Sequence, residues 1–134
     1  MPETISLESG DGRRIYLRAT QGFTFGDNER VAKERKVNTL QYAYTLSEDA
    51  DLAAELFSWQ WHPPAWPEPH MHIGRGHPEH GVLSKLHVPT GRVAFEQVLR
   101  FAITEYDVQT AKPRDEALGV LDDVLTRFHR HKSW

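Results

Sequence analysis

The chain contains no cysteine, which excludes disulfides, thiolate zinc sites and cysteine nucleophiles, and suits a reducing, cytosolic setting. No apolar run approaches the ~18 residues of a membrane span, so no membrane partner is expected. Met1-Pro2-Glu3-Thr4-Ile5-Ser6 lacks the basic-then-apolar order of a secretory signal. Charge of one sign is scarce too. With a formal net charge of -3, the chain has no global attraction for nucleic acid, and any such contact requires a local patch. What remains is a globular composition, 39% hydrophobic and 26% charged, in 134 residues, enough for a single domain over 1–134 with a buried core.

The periodicity changes along the chain. Ile15, Leu17 and Ala19 alternate with Tyr16 and Arg18, the two-residue period of a half-buried strand. A flexible charged stretch is expected from Gly26 to Lys36. Alternation resumes over Val37–Leu46, with Leu40, Tyr42, Tyr44 and Leu46 on one face. Glu48, Asp49 and Asp51 lack calcium-loop spacing and read as a hairpin turn. A third strand places Phe57, Trp59 and Trp61 on one side. The prolines from Pro63 to Pro69 forbid helix and central strand, leaving a stiff extended connector. Two short strands, His70–Ile73 and Leu83–Val88, are expected around a loop rich in glycine and histidine.

Beyond these, Phe95, Val98, Leu99, Ala102, Ile103 and Tyr106 mark one face of a helix. Pro113 suits the first turn of a second helix, whose stripe is Ala117, Leu118, Leu121, Val124, Leu125 and Phe128. Strands followed by helices predict an α+β fold, an antiparallel β-sheet of about five strands with two C-terminal helices packed on one face. Arg127 to Trp134 reads as a basic helix end that complements the helix dipole, and it is also the best candidate for a nucleic-acid or partner contact.

Histidine is concentrated where the sheet should leave a face free. Six of the eight histidines lie between His62 and His87. Imidazole titrates near neutrality and is, when neutral, the commonest metal ligand. In His70-Met71-His72-Ile73 both histidines point one way, and in Lys85-Leu86-His87-Val88 so do Lys85 and His87. Paired as a hairpin, with Met71, Ile73, Leu86 and Val88 toward the helices, these strands bring His70, His72, His87 and Lys85 together on an exposed concave face. Cross-strand neighbours there are about 4.5–5.5 Å apart at Cβ.

Several chemistries fit this set. The histidines can act as general acid and base, with Lys85 or Arg92 stabilising a phosphate-like charge. Two or three can hold a divalent metal that activates water, although no aspartate lies close and Glu68 and Glu79 fall in loops. They can bind an anion without chemistry, or simply be solvated. No cofactor is required by the sequence, and a divalent metal is the one that the residues would accept. His77 and His80, in the Gly-rich loop, should matter less. Trp59, Trp61 and Trp66 can stack on bases, but alternating tryptophans on a strand are more often packing residues. The histidine-triad nucleotide hydrolases are excluded, since Gly74 stands where their third histidine belongs.

The ordered set Tyr42-Ala43-Tyr44, Phe57-Ser58-Trp59-Gln60-Trp61-His62-Pro63 and Pro69-His70-Met71-His72, followed by two helices, resembles the TumE-like toxins of bacterial toxin–antitoxin systems. Leu86 to Val93 further resembles an actinobacterial branch of similar proteins. The resemblance implies a growth-inhibiting protein, neutralised by a small helix-turn-helix antitoxin, acting on RNA or nucleotides. His70, His72, His87, Lys85 and Arg92 are the residues expected to carry the chemistry.

Overall fold

A computed structural model describes residues 3–27 and 35–131. Its sheet has six strands in sequential order, all antiparallel: β1 (Thr4–Glu8), β2 (Arg14–Asp27), β3 (Arg35–Ser47), β4 (Glu55–His62), β5 (Trp66–Ile73) and β6 (Val88–Pro89). Two helices follow, α1 (Phe95–Tyr106) and α2 (Arg114–His131). The α+β expectation holds, with one strand more than the sequence suggested. The extra strand is β1, whose weak alternation gave no signal of its own. It pairs with β2 through Ile5↔Leu17 and Leu7↔Ile15.

One face of this meander is apolar because the two-residue periods of successive strands are in register. Leu17 pairs with Leu46, Tyr44 with Trp59, and Trp59 with Met71, so each strand adds to the same stripe. α1 lies on that stripe. Its buried Val98, Ala102 and Ile103 join Ile15, Leu17, Tyr42, Tyr44, Leu46, Trp59 and Trp61 in one core. Phe101 meets Phe57 and Trp59 edge-on at 5.0 and 5.4 Å between ring centres. Trp59 and Trp61 are therefore packing residues. α1 starts without a polar cap side chain of its own, and Gln97 Oε1 accepts the Ala94 N–H at 2.7 Å instead. Val93 N–H donates to the Tyr42 hydroxyl at 3.0 Å, tying the helix entrance to the sheet.

α2 follows Pro113 as expected, but it runs beside α1 rather than filling the core. Leu118 and Leu121 reach the core edge, while none of the α2 residues whose burial is described is fully buried. Arg100 on α1 pairs with Asp122 on α2 at 2.9 Å. Residues 132–134 of the basic tail lie outside the described residues, as do residues 28–34 of the charged stretch. The flanks of that stretch are ladder, not loop, since Gly26 and Asp27 pair with Lys36 and Arg35.

Three local expectations are corrected. Leu40 does not share the buried face of Tyr42. The register slips between Gly22 and Phe23, leaving Leu40 opposite no residue and half exposed. Trp66–Pro69 is not a free connector but the start of β5, paired through His62↔Trp66. Pro67 and Pro69 are tolerated because β6 pairs only as far as His70, so this part of β5 is an edge. Finally, Leu83–Val88 is not a strand. Leu83–Lys85 forms a 3-10 turn, and only Val88 and Pro89 pair with β5, leaving Leu86 exposed.

Candidate metal centre

The sheet face opposite α1 is polar by the same alternation. Across it Thr45 pairs with Ser58, Ser58 with His72, and Gln60 with His70. The chain leaves β5 at Gly74, whose φ of 62° suits glycine, and the segment up to His87 folds back over this face. Gly76 sits so close to β4 that a Cβ there would run into the backbone of Ala53 and Glu55.

This return brings His87 onto His70 and His72. Ring centres are 5.1 Å apart for His70–His72, 4.8 Å for His70–His87 and 4.6 Å for His72–His87. One ring nitrogen from each lies within 4.8 Å of the other two. The sequence placed these three correctly on one face but expected all to be exposed. His70 and His72 are each only 4% exposed, and His87 alone faces solvent. The covering segment, invisible to strand alternation, accounts for the difference.

Each ring has a defined condition. His70 Nδ1 lies 3.0 Å from the Glu68 carbonyl. A carbonyl only accepts, so Nδ1 donates and a neutral His70 carries its lone pair on Nε2. His72 is held neutral. Its pKa is pushed down to about 4, first by burial and then by the positive charge of Arg75 and of the neighbouring rings, against a favourable contact from the Leu86 backbone. His72 Nδ1 is buried with no hydrogen-bond partner, an arrangement that ordinarily costs about 1–3 kcal/mol. His87 stacks on Trp66 at 4.3 Å between ring centres and 11° between planes.

A cavity of about 630 Å³ opens beside the three rings, lined by Gln60, His62, Trp66, Arg75 and Lys85 among others. Lys85 lines the same cavity as the histidines, from a 3-10 turn instead of the expected strand. Arg92 does not. Its guanidinium sits 3.7 Å over the ring of Trp61, a core residue of the helix-bearing face, and burial lowers its pKa. The turn through Thr90 and Gly91 carries the chain to the other side of the sheet before Arg92 is reached.

Arg75 and its support escaped the sequence reading. Glu55, buried at the start of β4, receives Arg75 Nε at 3.0 Å and Nη2 at 3.1 Å, and the Ser58 hydroxyl at 3.2 Å. The signals were an acidic residue opening an apolar strand and an arginine flanked by two glycines. His77, Glu79 and His80 form a second group on the covering segment, with His77 Nδ1 3.1 Å from Glu79 and His77 Nε2 buried without a partner.

Three clustered imidazoles, two of them on strand β5, with space on the fourth side, are a ligand set for a transition-metal ion with an open position. Nitrogens at ~2.0–2.1 Å from a tetrahedral ion lie about 3.3 Å from each other, so closing on an ion needs the widest pair to contract by no more than about 1.5 Å. Rotation of the exposed His87 supplies that movement. The set contains no carboxylate, and three imidazoles alone are a known ligand set for a catalytic zinc ion. Compared with protein-family models, curated proteins and solved structures, the chain matches none. Among the described residues no helix is long and apolar enough to cross a membrane.

Proposed function

We propose that the protein is a mononuclear metal protein in which His70, His72 and His87 hold one divalent ion of the zinc class. The open position faces the cavity, where a bound water can be activated for hydrolysis. Convergence of three ring nitrogens within 4.8 Å carries this reading. It is supported by the unpartnered buried His72 Nδ1, which a metal would satisfy, and by the Glu68 carbonyl that orients His70. A divalent ion held by His70, His72 and His87 would act as a Lewis acid that makes water a better nucleophile near neutral pH.

The second reading is metal-free acid–base chemistry on RNA or nucleotides, favoured by Lys85 and Arg75 beside the same rings. It accompanies the toxin resemblance, with a cytosolic growth inhibitor and a helix-turn-helix antitoxin as its biological setting. Elemental analysis and a chelator separate the two. The metal reading expects one ion per chain and loss of hydrolytic activity on its removal. Cleavage of RNA that resists the chelator, from protein without metal, would overturn it in favour of the second.

A further inference from the structure

We infer that the cavity beside the three histidines is built for a dianionic phosphoryl group, the ligand or substrate headgroup of the proposed metal centre on which this inference rests. The argument is one of charge and of construction. Among the residues lining the cavity are Arg75 and Lys85, three clustered imidazoles, His62 and Gln60, with no aspartate or glutamate. A divalent ion held by the imidazoles would add two further positive charges, with no carboxylate among the described lining residues to offset them. A carboxylate offers one negative charge to such a site, whereas a phosphate monoester offers two.

Arg75, although exposed, is held in place by a buried partner. Glu55, itself buried, binds two of its five N–H donors, and the other three make no hydrogen bond to a described residue. The pair is anchored from both sides. Ser58 donates to Glu55, the Gly74 N–H donates to the Leu56 carbonyl of β4 at 2.6 Å, and Gly76 packs against the backbone of Ala53 and Glu55. Glu55 is thus a positioning residue whose charge aligns the guanidinium fork without being presented to the ligand. Lys85, on the 3-10 turn, supplies a mobile point charge and makes no ion pair with any described residue. Trp66, stacked on His87, walls the cavity with an aromatic surface.

The test titrates inorganic phosphate into zinc-loaded and metal-free protein, with acetate as the singly charged comparison. Zinc affinity is measured separately on every variant. The inference expects phosphate to bind the loaded wild type more tightly than acetate. Arg75→Gln and Lys85→Met should each weaken phosphate about ten-fold or more without weakening zinc. Glu55→Gln should weaken phosphate while zinc still binds, and Glu55→Asp should weaken it less. Equal binding of phosphate by wild type and both cation variants, or acetate binding as tightly, overturns the inference. If the wild type takes up no zinc, the metal reading falls by itself. The metal-free titration then decides the phosphoryl assignment: the same order of affinities supports it, and no binding overturns it.

Discussion

Lowering the pH should destabilise the metal-free protein through His72 in a way that one substitution removes. The ring titrates at 6.5 when free and at about 4 in the fold, because burial and nearby positive charge disfavour its protonated form. The unfolded chain therefore binds a proton more readily than the native one. Stability from this group is fully present above pH 6.5 and is lost as pH falls toward 4. A gap of that size corresponds to up to about 3 kcal/mol, each pKa unit being worth ~1.4 kcal/mol. Carboxylates also respond over this range, so the measurement must be a difference. Urea unfolding of the chelator-treated wild type and of His72→Gln, which cannot take up a proton, is compared between pH 7 and pH 4. The wild type should lose about 2–3 kcal/mol more than the variant across that interval. Parallel losses in the two proteins would refute the burial and neutrality assigned to His72.

Other outcomes follow from packing. Leu46→Ala, at a fully buried position, should cost about 2–5 kcal/mol in denaturant unfolding, whereas Leu121→Ala, at the half-buried edge of α2, should cost clearly less. Equal costs would mean that α2 is more deeply seated than described. Gly76→Ala forces a Cβ into the backbone of β4 and should lower stability by about 1–3 kcal/mol, visible as a drop in Tm. Trp66→Ala removes the ring stacked on His87, a contact typically worth about 0.5–1.5 kcal/mol, and should weaken zinc binding without unfolding the protein, as calorimetry can show.

Much of the architecture was legible because burial here follows simple periods. Tyr42, Tyr44 and Leu46 alternate, and the α1 stripe from Phe95 to Tyr106 repeats at helical spacing, so strand and helix announce themselves. Leu40 departs from its period because a bulge in β3 is a property of the pairing, which no single strand encodes. Pro67 and Pro69 argued against a strand, yet an edge tolerates them, and edge status depends on where β6 stops. The site divides similarly. His70 and His72 could be placed on one face from alternation, whereas His87 reaches them from beyond a 3-10 turn and not from the strand that alternation suggested. The burial of His70 and His72 could not be read there, since it comes from the segment between Gly74 and His87 folding over the sheet. Arg75 and Glu55 lie twenty residues apart in sequence, and only that fold-back makes them a pair. Arg92, close to His87 in sequence, is separated from it by the sheet itself.

The central claim is that three histidines form one metal site, and a zinc titration by calorimetry tests it most directly. It is run on the wild type, His72→Gln and His77→Gln after chelator treatment. The account expects a tight event of one ion per chain in the wild type, lost in His72→Gln and retained in His77→Gln. No tight binding by the wild type, or binding that survives in His72→Gln and disappears in His77→Gln, would contradict it and place any metal on the covering loop instead.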